Sequence, residues 1–213
     1  ERGRIMAGEN KKVARYAELY KLVDKYKPQT ICEIGTWKGM RARKMLRHAS
    51  YFHSNPHYIG YDLFDDATPE LNEKEWNGKG NYTIKVVDDY INQYNTNEKL
   101  NATWELHKGN TNEILVETNV DFAFIDGGHS VETIANDYAK LQNSKVIVFD
   151  DYYMPGQENK VHVDTNLWGA NKLVDSIDKT KYIIDVGDRI IKEGVHVANV
   201  CLAVIENDPQ NIS

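Results

Sequence analysis

Only two cysteines occur in the 213 residues, Cys32 and Cys201. That is too few for a disulfide framework or a thiolate metal site, and both fall inside predicted apolar strands, as reduced core thiols do. A net positive charge is absent too. With a formal net charge of −6 and the signs mixed, the chain offers no cationic field to hold a nucleic-acid backbone, so nucleic acid is not an expected partner. No apolar run approaches the length that spans a bilayer, and no signal-peptide pattern is visible. A soluble, cytoplasmic protein with no membrane partner is the expectation. Repeats and low-complexity tracts are lacking as well. The length suits one full α/β domain with a sizeable core and is short for two, so residues 1–213 are read as a single domain, with 1–27 an N-terminal extension and helix.

What is present is organised around Asp121 to Asp151. Two short apolar runs, Phe122 to Ile125 and Val146 to Phe149, end abruptly in carboxylate, at Asp126 and at Asp150 with Asp151. Between them Val131, Ile134, Tyr138 and Leu141 recur at helical spacing, so the unit reads strand, helix, strand. Such a crossover makes the strands parallel and ends both at one edge of the sheet, where open α/β sheets bind their ligands. Three acids and His129 are therefore expected to meet there. An oxygen-rich cluster suits a hard cation such as Mg²⁺. His129, three residues past Asp126 and just before the helix-capping Ser130, is placed to act as a base. Acids at strand ends also serve as plain helix caps, but the constellation favours a functional site.

The rest of the chain supplies the other elements. A helix is predicted over Asn10 to Lys27, stopped by Pro28, followed by a buried strand over Thr30 to Ile34, a glycine turn and a basic helix over Met40 to His48. His57 to Leu63 reads as a second strand ending at Asp62. Phe64 to Asn81 has no clear period and reads as a long loop over the pocket, a candidate lid. Tyr82 to Lys99 is a helix, Ala102 to His107 a strand, Asn112 to Val116 a short helix. Tyr152 to Thr165 is loop-like and Asn166 to Ile177 a helix. Lys181 to Ile191 and His196 to Ile205 form an antiparallel pair.

The glycine turn Glu33-Ile34-Gly35-Thr36-Trp37-Lys38-Gly39 lets a ligand approach the backbone closely. It has neither the three close glycines of a dinucleotide fingerprint nor the Gly-Lys-Ser/Thr of a Walker loop. With its acid two residues before the first glycine, it resembles motif I of the class I S-adenosylmethionine-dependent methyltransferases, and the order of elements agrees from about Gln29 to Glu206. The resemblance implies a Rossmann-like doubly wound seven-stranded sheet of order 3-2-1-4-5-7-6, strand 7 antiparallel, with helices on both faces. It also implies S-adenosylmethionine as cofactor. The binding set would be Glu33, Gly35, Thr36, Gly39, Asp62, Asn110, Thr111 and Asp126, with Asp62 at the ribose hydroxyls and Asn110 or Thr111 at the adenine.

Phe-Ile-Asp-Gly-Gly-His-Ser followed by Val-Phe-Asp-Asp is similar to the branch holding the macrolide-sugar O-methyltransferases and the cephalosporin-hydroxylase-like proteins, and to the metal arrangement of the catechol-type enzymes. By that likeness Asp126, Asp150 and Asp151 are Mg²⁺ ligands and His129 the general base, acting on a small hydroxylated acceptor such as a sugar or phenol. A homodimer is the one assembly weighed. Trp37 either walls the pocket or packs under the turn, and Tyr152 and Tyr153 either line the acceptor pocket or pack at the surface. His53 and His57 read as solvated, Trp76, Trp104 and Trp168 as core or lid residues. The run Lys38, Arg41, Arg43, Lys44 and Arg47 reads as a solvated face or a hold for an acidic acceptor. Three rival readings stand beside this one: a non-catalytic S-adenosylmethionine-binding or interaction module of the same fold, a nucleic-acid amino-methyltransferase, and a nicotinamide dehydrogenase. The second lacks its Asn/Asp-Pro-Pro-Tyr/Phe motif and the third its glycine spacing.

Overall fold

A computed structural model describes residues 9–75, 80–156 and 164–207, with side chains from Tyr16 onward. Strands β1 (Thr30–Ile34) and β4 (Phe122–Ile125) and the first half of β5 (Val146–Pro155) are buried along nearly every residue. Parallel strands covered on both faces read this way, because neither face meets water. Alternation decides which face each side chain serves. Ile31, Phe122, Phe124 and Val148 join one core with Leu19, Val23, Met45, Leu46, Val87 and Ile91, while Cys32, Ile34, Ala123, Ile125, Ile147 and Phe149 join the other with Ile134, Leu141 and Val174. Each large apolar side chain so enclosed contributes about 1.5–3 kcal/mol.

With β2 (His57–Asp62), β3 (Thr103–Lys108), β6 (Lys181–Lys192) and β7 (Val195–Glu206), the sheet order is β3-β2-β1-β4-β5-β7-β6. β1 to β5 pair in parallel, and β7 runs antiparallel to both its neighbours. The expected topology is the observed one. Helices α1 (Glu9–Tyr26), α2 (Met40–Ala49) and α4 (Ile84–Glu98) supply the first core, and α6 (Val131–Leu141) and α7 (Asn171–Ser176) the second. The strand order reverses between β1 and β4, which opens a crevice at their carboxyl ends. No helix among the described residues is long and apolar enough to cross a membrane.

Three local expectations are corrected. Residues 64–75 are not a bare loop: a 3₁₀ turn (Phe64–Asp66) leads into α3 (Pro69–Lys74), where Thr68 Oγ1 accepts from Leu71 N and Pro69 opens the helix. A short helix specified by its cap shows little periodicity. Tyr152 to Pro155 continue β5 beyond a bulge and pair with β7. Helix α7 starts only at Asn171, because Trp168 forms a bridge with Ser130 and Gly169 sits at φ 79°. Trp76 and the rest of 76–79, within the loop expected over Phe64 to Asn81, and the segment 157–163 lie outside the described residues. Short α5 (Thr111–Ile114) follows β3 as expected.

Candidate active site

The turn after β1 is held from two sides. Gly35 N and Thr36 N donate to Tyr61 O at 2.8 and 3.3 Å, and Asp62 Oδ2 accepts from Trp37 N at 2.7 Å while its Oδ1 accepts from Phe64 N at 2.7 Å. Asp62 thus anchors both the turn and the segment beyond β2. Only glycine fits at 35: φ is 91°, and a Cβ would stand 2.0 Å from Asp126 O. The turns after β1 and β4 consequently touch. Trp37 continues the wall, packing edge-on against Tyr82 at 6.0 Å and donating Nε1–H to Gly80 O at 2.8 Å.

A cavity opens over these turns. Gly35, Asp62, Asn110, Thr111, Asp126 and His129 line it, joined by Trp37, Arg41, Glu75, Tyr82 and Gly128. Glu33, Thr36 and Gly39, expected beside the cofactor, sit elsewhere. Glu33 is fully buried beneath the turn, where its carboxylate receives Arg41 Nε at 2.7 Å and Tyr58 OH at 2.5 Å. Burial pushes the Glu33 pKa up, opposed by the Arg41 charge and by the Tyr58 and Arg41 hydrogen bonds. Thr36 is buried against Tyr58 OH at 3.0 Å, and Gly39 backs onto Val87 and Ile91. These three shape the turn from below.

Asp126, Asp150 and Asp151 converge at the carboxyl ends of β4 and β5, with ligand oxygens that all lie within 4.8 Å of one another. A bulge between Phe149 and Tyr152 takes the β5 acids out of the ladder, and Asp151 adopts φ 54°, a costly backbone state that persists where the surroundings enforce it. Asp151 N donates to Asp150 Oδ1 at 3.0 Å. Two cations meet the cluster: Arg41 reaches Asp126 Oδ2 at 2.8 Å and His129 Nε2 reaches Asp151 Oδ2 at 2.8 Å. Burial lowers the His129 pKa, but the hydrogen bond and charge of Asp151, the charge of Asp126 and the Glu75 carbonyl outweigh it and raise it to about 9. An all-oxygen set of carboxylates gathered this closely suits a hard divalent cation.

Arg41 and Glu75 are the participants that sequence reasoning missed. Arg41 belongs to the basic run read as a solvated face or a hold for an acidic acceptor, yet it is 5% exposed and bonds Glu33, Asp126 and Gly35 O, the last at 2.6 Å. One signal pointed inward: it stands one helical turn before Met45, on the buried face of α2. Glu75 had no such signal, lying in a stretch read as loop. Of the other residues weighed, Tyr153 is buried in the small cluster with Ala198 and Val200, and Tyr152 OH donates to Asp175 at 2.9 Å. Trp168 packs against that same cluster, and Trp104 Nε1–H donates to Asp88 at 2.7 Å.

Sheet order and the family match over residues 32–152 define the class as an S-adenosylmethionine-dependent methyltransferase. The chain belongs to the methyltransferase domain family, which matches residues 32–152, more than half its length. Among solved structures it is similar to the O-methyltransferase TomG of Streptomyces achromogenes, involved in tomaymycin synthesis and determined with S-adenosylmethionine (14% identity, 94% of this chain and 91% of that one, TM-score 0.55). It is also similar to the methyltransferase domain of bacterial CtHen1-C (11%, 92% and 100%, 0.55) and to the small RNA methyltransferase HEN1 (13%, 98% and 27%, 0.57). At these identities the likeness is one of fold. No curated protein matches the chain.

Proposed function

We propose that this chain, as a single domain, transfers the methyl group of S-adenosylmethionine to a hydroxyl of a small acceptor such as a sugar or phenol, with Mg²⁺ held by Asp126, Asp150 and Asp151. The observation that carries this reading is the convergence of those acids with His129 at the edge of the cavity lined by Gly35 and Asp62. Asp62 would accept hydrogen bonds from the ribose hydroxyls, Gly35 would let the methionine end lie on the backbone, and Asn110 and Thr111 would border the adenine. Bound among the acids, Mg²⁺ would polarise an acceptor hydroxyl and offset the carboxylate charge that raises the His129 pKa.

His129 Nε2 is the atom that would receive the acceptor proton. The acceptor oxygen forms a bond to the methyl carbon as the carbon–sulfur bond breaks, and that electron pair returns to sulfur, leaving the neutral thioether S-adenosylhomocysteine. Much of the acceleration in such a two-substrate transfer comes from holding the oxygen and the methyl group in line. Asp151, 2.8 Å from Nε2, would orient the ring toward them.

Calorimetric titration of S-adenosylmethionine and S-adenosylhomocysteine, with Mg²⁺ and then with a chelator, tests the proposal, together with Mg²⁺ titration of an Asp150→Ala/Asp151→Ala variant. Cofactor binding, with metal binding that the variant loses, is the expected result. Cofactor binding without metal binding discards the metal-assisted mechanism, and absence of both leaves a non-catalytic interaction module. A screen of sugars, catechols and short RNA for methyl acceptance then decides the substrate; methylation of RNA alone would overturn the small-molecule assignment.

A further inference from the structure

His129 is gripped on both ring nitrogens. Besides Nε2 at Asp151, Nδ1 lies 2.6 Å from the backbone carbonyl oxygen of Glu75. A carbonyl only accepts, so Nδ1 must carry a proton in this arrangement, and Nε2 is left as the nitrogen whose proton can be exchanged with the site. The position of that carbonyl is not left to chance. The Glu75 side chain turns to the start of α6 and accepts from Ser130 N at 2.8 Å, Ser130 Oγ at 2.9 Å and Thr133 Oγ1 at 2.8 Å. It caps the helix that follows the base, from a segment 55 residues away in the chain.

The surroundings are built to keep it there. Burial opposes ionisation of Glu75, but the Ser130 and Thr133 hydrogen bonds outweigh it and hold the pKa below the ordinary value, as suits a carboxylate at a helix N-terminus. Space for it exists only because residue 128 is glycine: a Cβ there would stand 2.6 Å from Glu75 Oε2 and 2.8 Å from Thr133 Cγ2. One residue therefore joins three things, the end of α3, the start of α6 and the His129 ring.

We propose that Glu75 is a positioning residue for His129: its carboxylate locks the end of α3 onto Ser130 and Thr133, so that its own carbonyl holds the Nδ1 proton and aims Nε2 at the acids and the acceptor. The base role of His129 rests on the function proposed above; the locking of the ring by Glu75 does not. Three side-chain hydrogen bonds hold one main-chain acceptor in place, an outer-shell arrangement that sets ring orientation and tautomer.

The test uses the whole chain, labelled with ¹⁵N-histidine. In the unsubstituted protein a His129 ring Nδ1–H is expected to be protected from exchange with water, and the His129→Asn variant identifies its signal by removing it. Glu75→Ala is expected to lose that protection while its circular dichroism remains that of the folded protein. Glu75→Gln keeps an acceptor for Ser130 Oγ and Thr133 Oγ1 and presents an NH₂ to Ser130 N–H, so protection should return in part. Protection that survives unchanged in the folded Glu75→Ala protein overturns the proposal, as does a Glu75→Gln protein no better than Glu75→Ala. Should Glu75→Ala fail to fold, the Glu75→Gln spectrum alone decides: reduced protection supports the lock, and unchanged protection overturns it. If the unsubstituted protein binds no S-adenosylhomocysteine, the methyltransferase function fails while the ring signals still decide the lock.

Discussion

Replacing Arg41 by Met removes the one guanidinium that meets both Glu33 and Asp126. Met retains much of the stem's volume, so the loss is chiefly one of charge. The two partner side chains are 0% and 4% exposed, so at Glu33 above all little water is at hand to replace the cation. Breaking a buried pair in this way costs about 3–5 kcal/mol. For a chain of this size that lowers Tm by roughly 6–20 °C. The cost should also depend on pH, with a sign that follows from Glu33. Its pKa already stands above the ordinary 4.5 through burial, opposed by Arg41; without Arg41 it rises further. A carboxyl whose folded pKa is raised binds more protons folded than unfolded, so its contribution is full below the unfolded value and is lost as pH climbs through the folded one. The deficit of Arg41→Met should therefore be smallest near pH 4.5 and grow toward pH 8. Urea unfolding of both proteins at several pH values measures it. A deficit under about 1 kcal/mol at pH 8, or one that does not change with pH, would refute the assignment of Arg41 as the internal counter-ion.

Gly169→Ala should disturb the site from outside the cavity. At φ 79° an added Cβ stands 2.6 Å from the Tyr153 ring and 2.7 Å from Asp151 O, and Gly169 N donates to His129 O at 2.7 Å. A loss of about 1–3 kcal/mol in urea unfolding, together with weaker Mg²⁺ binding by calorimetry, is expected; unchanged values for both would show that the backbone yields freely there. Asp137 on α6 is fully buried, and burial raises its pKa to about 7, opposed only by the polar side chains of Thr111 and Asn136 nearby. Its contribution is full below the ordinary 3.8 and declines as pH rises to about 7. Asp137→Asn should flatten that decline and be the more stable protein at pH 8, by on the order of 4 kcal/mol. Parallel stability–pH curves for the two proteins would remove Asp137 as the cause.

The fold and the gross location of the site were legible in the linear order of residues. Apolar runs of four or five residues ending in acid mark buried parallel strands, because a strand covered on both faces admits no polar alternation, and the crossover rule then brings Asp62, Asp126, Asp150 and Asp151 to one edge of the sheet. The capping Ser130 and the spacing of Ile134 and Leu141 likewise declare α6 locally. Tertiary structure alone decided the partnerships. Glu33 faces down and Asp62 faces the cavity, a choice made by where Arg41 and Tyr58 pack. Asp151 turns toward His129 because a bulge breaks the β5 ladder there. Glu75 meets Ser130 across 55 residues and Asp62 meets Trp37 across 25. Periodicity records which face of an element is buried, an average over neighbours a few residues away. It carries no information about which distant side chain completes a hydrogen bond, and that pairing is set only when the elements dock.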